Sequence, residues 1–190
     1  MTGEERRTDF RPLVPRDWEN LEQLFGRHGA SEGCWCMWWR QTQAEFNSQH
    51  GEKNRLAFKS LVESGAIPGL VAYRDGEPVG WCAVEPRESY PRLDRSRILA
   101  RVDDRPVWSV TCFYVKKQHR GTGLMRSLLN ASTDWAAKNG ACIIEAYPIE
   151  AKAGVRPSAA YMGVVQLFLD AGFGEVVRRS PRRPVMRKLL

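Results

Sequence analysis

The feature that most constrains this chain is a change of period just after residue 115. Residues 107–115, Val-Trp-Ser-Val-Thr-Cys-Phe-Tyr-Val, are rich in β-branched and aromatic side chains and predict a strand. Leu124, Leu128, Ala131 and Trp135, at i, i+4, i+7 and i+11, then mark the apolar stripe of a helix. Between the two runs lies Gln118-His119-Arg120-Gly121-Thr122-Gly123. A chain that turns this sharply presents the unpaired first amides of its helix, and Gly121 and Gly123 let an anion come close to the backbone. Such a terminus stabilises a nearby anion by roughly 0.3–2 kcal/mol. Lys116, Lys117, Gln118, His119, Arg120 and Thr122 add donors or positive charge around it. The run lacks the Gly-Lys-Ser/Thr ending of a P-loop, and Arg126 stands where a dinucleotide fingerprint has its third glycine, so ATP and NAD are disfavoured.

The 190 residues, 43% hydrophobic and 27% charged, suit one globular domain over residues 1–190. No apolar run approaches the ~18 residues that span a bilayer, so no membrane association is expected. The first residues lack the apolar core of a secretory signal, which makes a cytoplasmic location the expectation. Five cysteines (Cys34, Cys36, Cys82, Cys112, Cys142) are an odd number, and three lie in apolar stretches, so a disulfide framework is not expected. Cys34-Trp35-Cys36 is too closely spaced for a zinc pair and has no second pair downstream, so no metal is expected either. The net charge of +7 favours anionic partners. Part of it crowds the end of the chain, at Arg178, Arg179, Arg182, Arg183, Arg187 and Lys188, as solvated arginines or as a nucleic-acid footprint.

The remaining elements alternate. Residues 10–14 predict an opening strand, and Pro15-Arg16-Asp17 precedes a helix carrying Trp18, Leu21, Leu24 and Phe25. A second helix is predicted over residues 52–63. Residues 70–73 and 79–84 form a hairpin around Asp75-Gly76. Residues 85–105 predict a long surface loop. The apolar run 141–147 predicts a strand buried on both faces, completing a βαβ unit. Ser158 is the expected cap of a last helix with stripe Tyr161, Val164, Val165 and Phe168 and Gly172 at its end, before closing strands at 173–178 and 185–189.

Gln118-x-x-Gly121-x-Gly123 between a strong strand and an amphipathic helix resembles the acyl-CoA signature of the GNAT N-acetyltransferase superfamily. The hairpin, the βαβ unit and Leu169-Asp170-Ala171-Gly172-Phe173 extend the resemblance over about residues 70–190. It implies an α/β (α+β) fold with a mixed, splayed sheet of six to seven strands and helices on both faces. It implies acetyl-CoA, or another acyl-CoA, as co-substrate and an amine of a small molecule or peptide as acceptor, with direct transfer and no covalent enzyme intermediate. Backbone groups at Phe113, Tyr114 and Val115 would bind the pantetheine arm between this strand and the strand 141–147. The turn Gln118, His119, Arg120, Gly121, Thr122, Gly123 and Leu124 would hold the pyrophosphate. Members often carry a tyrosine where this chain has Phe168, so Tyr161 and Tyr147 become the candidate general acids, or the thiolate leaves unaided.

Glu145 interrupts the apolar strand and is the candidate base, with pairing to an arginine as the equal alternative. Cys112 has no partner histidine or acid near it in sequence, which disfavours an acylated cysteine. Trp35, Trp38 and Trp39 would share one helix face, either as core or as acceptor-pocket walls joined by Trp81, with Arg40 binding a carboxylate. Two further readings stay open: an aminoacyl-tRNA-dependent transferase of the same fold, and a non-catalytic acyl-CoA sensor or RNA-binding module. A homodimer is left open as well.

Overall fold

The structure, a computed structural model, describes residues 7–151 and 160–190. Strand β1 (Thr8–Pro12) leads through a 3-10 turn at Pro15–Asp17 into helix α1 (Trp18–Phe25), whose Trp18, Leu21, Leu24 and Phe25 are buried as the spacing predicts. Gly26, at φ 62°, ends it. Helix α2 (Gln43–Ser48) was not foreseen, although Thr42 and Glu45 form a capping box: the Glu45 amide donates to Thr42 Oγ1 and the Thr42 amide donates to Glu45. Helix α3 (Glu52–Glu63) occupies the predicted residues.

Strands β2 (Gly69–Arg74) and β3 (Glu77–Pro86) pair antiparallel around Asp75 and Gly76, both at positive φ, the geometry such a tight turn demands. The expected long loop after them is shorter and more ordered than its composition suggests. Strand β3 runs on to Pro86, a 3-10 turn covers Arg87–Ser89, helix α4 covers Pro91–Asp94, and Arg87, Tyr90, Leu93 and Leu99 are buried. Strand β4 (Trp108–Val115), helix α5 (Leu124–Lys138) and strand β5 (Ile143–Ala146) form the βαβ unit. Helix α6 (Val165–Asp170) is shorter than predicted: Tyr161 and Val164 precede it, and Ser158 lies outside the described residues. Strands β6 (Gly174–Val177) and β7 (Val185–Leu189) close the chain.

All seven strands form one mixed sheet in the order β1-β2-β3-β4-β5-β7-β6. Among the strands of the described residues only β4 and β5 pair parallel, over Trp108–Val110 and Ile144–Ala146, before they part. One core packs α5 and α6 on one face of the sheet, around Val110, Phe113, Leu128 and Phe168. A second packs α1 and α3 on the other, around Trp18, Trp35, Phe58 and Trp81.

The point where β4 and β5 separate is held by a buried charge network. Glu145, fully buried, accepts from Arg87 Nη1 at 2.7 Å, Arg187 Nε at 2.7 Å and the Tyr147 hydroxyl at 2.6 Å. The Tyr147 hydroxyl also lies 2.8 Å from Ser109 Oγ. Asp94 and Asp103 complete the arginines' bonding at the rim. Burying these charges is tolerable only because each is paired and bonded. Removing the central acid leaves two guanidiniums facing each other in a dry interior, so Glu145→Ala should lose about 3–5 kcal/mol in urea unfolding. An equally stable variant would show that the network does not hold the fork.

Candidate active site

The turn after β4 has the predicted form. Residues Lys117–His119 make a 3-10 turn, and Gly121 and Gly123 sit at φ 73° and 79°, Gly123 as the left-handed residue just before α5. Residues 120–123 are exposed. Thr122 Oγ1 donates to the His119 carbonyl at 2.8 Å, and Arg120 Nε donates back to the Val115 carbonyl at 3.0 Å, which fixes the turn against the strand. The first intrahelical bond runs from the Ser127 amide to the Gly123 carbonyl, so the amides of residues 124–126 are free of the helix ladder. A fifteen-residue helix therefore presents open donors and its dipole at an exposed glycine turn.

Beyond Val110 the edge of β4 that faces β5 has lost its strand partner. The Phe113 amide donates instead to the Tyr161 carbonyl at 2.6 Å. A few residues on, Ile149 and Val164 form an isolated parallel bridge. The turn at residues 160–162 and the bridge after it thus fill part of the gap between the diverging strands. The Tyr161 ring packs beside Tyr90, Leu93, Tyr147 and Met162, and burial pushes its phenol above the ordinary range.

The three residues expected to move protons are not brought together in an open cleft. Glu145 and Tyr147 are fully buried in the charge network, where the arginine partnership weighed for Glu145 is the arrangement present. Burial and the adjacent Glu145 push the Tyr147 phenol well above its usual range. Cys112 lies against the α1/α3 core, and its hydrogen bond with Cys36 together with burial pushes its thiol well above the ordinary value, which disfavours a thiolate.

The tryptophan segment departs from expectation. It is a series of turns rather than a helix, with Trp35 and Cys36 at φ 45° and 54°, so the three indoles do not share a face. Trp35 stacks on Trp18 and, with Trp81, belongs to the core. Trp81 Nε1 donates to Cys36 Sγ at 3.0 Å. Trp38 is half-buried, packed edge-on against Phe46 and capped by the Arg92 guanidinium at 3.5 Å. Arg40, expected to await a carboxylate, already has one: it is paired with Glu85, and both side chains are at least nine-tenths buried. Its guanidinium also lies 4.7 Å from the Tyr90 ring, while its Nε is buried with no partner, an arrangement that typically costs about 1–3 kcal/mol.

This pair stands at a cleft of about 550 Å³ whose lining includes Met37, Arg40, Ala57, Leu61, Glu85 and Ser89. Burial raises the Glu85 carboxyl above its ordinary range despite the pull of Arg40. Glu85 was missed in the sequence because it sits in an apparent polar loop; the signal was an acid directly continuing the apolar strand Val79-Gly80-Trp81-Cys82-Ala83-Val84.

Solved structures share this architecture. A GNAT-family acetyltransferase from Listeria monocytogenes superimposes with a TM-score of 0.63 at 13% identity, over 100% of this chain and 99% of that one. A GCN5-related N-acetyltransferase from Kribbella flavida gives 0.57 at 21% identity, over 96% and 98%. A PaiA N-acetyltransferase from Thermoplasma acidophilum, solved with coenzyme A, gives 0.55 at 14% identity, over 97% and 99%. At such identities the likeness establishes the fold. No curated protein sequence matches this one. The model of the acetyltransferase (GNAT) family matches residues 31–154, beginning well before the region where the motif-based resemblance starts. The chain belongs to the GNAT acetyltransferase family, an acyltransferase family that uses acetyl-CoA.

The turn's glycines can be tested apart from any ligand. A Cβ built on Gly121 meets nothing within 4 Å, so the cost of Gly121→Ala is the positive φ alone. About 1–2 kcal/mol of stability should be lost in chemical denaturation. No loss would mean that the turn does not hold this backbone conformation.

Proposed function

We propose that the protein transfers an acyl group, in the simplest case acetyl, from CoA to an amine by direct attack. The observation that carries this is the exposed glycine turn at the head of α5, continuous with the unpaired edge of β4. The amides around residues 120–124 hold the pyrophosphate, with Gln118, His119, Arg120 and Thr122 on the rim. The backbone of Phe113, Tyr114 and Val115 pairs with the pantetheine arm as a β-strand would. For that arm to reach the Phe113 amide, the Tyr161 carbonyl has to give it up, so donor binding includes a local exchange of hydrogen-bond partners.

The chemistry asks little of the protein beyond placement. A thiol of pKa about 8.5 is a tolerable leaving group, so Phe168 in the position of a family acid is no obstacle. Holding donor and amine together supplies most of the acceleration. Tyr147, enclosed with Glu145 in the charge network, is not assigned a proton-transfer role; Tyr161 stays beside the donor channel as a candidate acid.

The tRNA-dependent and RNA-binding readings drew on the basic C-terminal run. Four of those arginines have partners within the protein, two of them at the surface: Arg178 with Glu150 and Glu175, Arg179 with the carbonyls of residues 100 and 101, Arg183 with the Tyr147 carbonyl, and Arg187 with Glu145 and Asp103. Of these, Arg178 and Arg187 are paired with carboxylates, so part of the charge that recommended the run as a nucleic-acid surface is neutralised within the protein, which favours CoA as donor.

Isothermal titration with CoA tests the assignment. Wild type should bind, and Gly121→Glu, which puts a carboxylate against the pyrophosphate, should weaken binding at least about tenfold, or 1.4 kcal/mol. Undiminished affinity in a folded Gly121→Glu variant would remove the turn from the donor site.

A further inference from the structure

The Arg40–Glu85 pair has a cost that packing does not explain. Two charges are taken out of water, and Arg40 keeps a buried Nε without a partner. The pair does not stand in the middle of a core but at the edge of a cleft, walled on one side by α3 residues such as Ala57 and Leu61 and on the other by Met37 and Ser89. A cleft of about 550 Å³ lies within the range that takes a small molecule.

Its position relates it to the proposed donor channel. Glu85 pairs across the sheet with Ser109, within the last stretch of β4 bonded to β5, and Ala83 pairs with Cys112 at the start of the unpaired edge. Thr111, skipped where the register of β3 and β4 shifts between Ala83 and Val84, adds a bend there. The acid therefore lies level with the fork, where a pantetheine arm running back from the turn would end.

The charges decide what the cleft can take. Arg40 bonds one oxygen of Glu85, Oε2, and is neutralised by it. Among the described lining residues no guanidinium or ammonium is left over to serve a ligand carboxylate as counterion. The second carboxylate oxygen is not bonded to Arg40, and the other polar lining is hydroxyl, at Ser60, Ser64 and Ser89.

We propose, resting on the acyltransferase reading above, that this cleft is the acceptor site and that it takes a primary amine on an uncharged body, anchored by Glu85. Arg40 is a positioning residue that fixes the carboxylate. The acceptor enters as an ammonium and passes one proton to Glu85. Its nitrogen lone pair forms the C–N bond to the acyl carbon as the C–S bond breaks, and a second N–H proton leaves with the thiolate as CoA thiol.

The titratable groups facing Glu85 are Arg40 and Tyr90, with the Ser89 hydroxyl beside them; α3 and the residue after it offer the Ser60 and Ser64 hydroxyls. Burial holds the Tyr90 phenol far above neutrality, so neither neighbour titrates alongside the acid. Transfer should rise with pH as Glu85 deprotonates, then level off.

The test is acetyl transfer from acetyl-CoA to a panel of neutral alkyl and hydroxyalkyl amines set against α-amino acids, with CoA affinity measured in parallel. Wild type should prefer the neutral-bodied amines by at least about tenfold in kcat/KM. Glu85→Gln should lower kcat/KM about 100-fold or more and erase the acid limb of the pH profile while CoA affinity stays within about twofold. Glu85→Asp should recover part of the rate. Ser60→Trp, at an exposed position of α3 that lines the cleft, should raise KM for the amine with kcat and CoA affinity little changed. A preference for amino acids, an unchanged pH profile in Glu85→Gln, or an unchanged KM in Ser60→Trp would each overturn the proposal while CoA binding stood. Loss of CoA binding in wild type would instead overturn the reading beneath it.

Discussion

Everything that distinguishes this sheet from an ordinary mixed one follows from the buried charges at the base of its fork. Glu145 on β5 is clamped by Arg87, which enters from the connection after β3, and by Arg187 of β7. Tyr147 and Ser109 add hydroxyls from β5's extension and from β4. The network ties together the chain on both sides of the parallel pairing of β4 with β5. A carboxylate between two guanidiniums offsets its desolvation only when every partner is in place, so the geometry there is far more restricted than in an apolar seam. Past that point β4 and β5 no longer bond, and the sheet opens.

The opening is what the proposed donor site uses. A β-strand edge with free amides is normally a liability that proteins cover. Here Phe113 is covered by the Tyr161 carbonyl, a single bond from a turn rather than a full ladder. Such a cover is cheap to exchange for a ligand that offers the same kind of acceptor. At the far end of the same strand the glycine turn exposes the amides of α5, so a molecule with an amide-bearing arm and a pyrophosphate meets two complementary surfaces in one line. Fixed donors in a prearranged backbone need little reorganisation on binding.

Much of this was legible in the amino-acid order, and the exceptions have physical causes. The strand 107–115, the turn and α5 are local: period, glycine placement and apolar spacing decide them, and the glycine turn keeps the form those signals predict. The hairpin at Asp75-Gly76 and helix α3 were readable for the same reason. The acid at Glu145 stood out against its apolar neighbours, but whether it would serve chemistry or structure depended on Arg87, 58 residues away in a segment that reads as loop. The same distance hid Glu85, whose partner Arg40 lies 45 residues earlier. In the tryptophan segment the helical spacing misled because Trp35 and Cys36 adopt positive φ, a backbone choice set by packing against Trp18 and Trp81 rather than by local preference. Helix α2 could have been found from Thr42 and Glu45 alone.

The central claim is that one strand edge and one glycine turn act together as the donor site. Backbone amide chemical shifts during titration with CoA address it residue by residue. The account predicts shifts concentrated at Phe113, at Val115 and along residues 120–126, with the Phe113 amide changing its hydrogen-bond partner. Shifts confined to the C-terminal arginines, with the β4 edge and the turn unmoved, would contradict it.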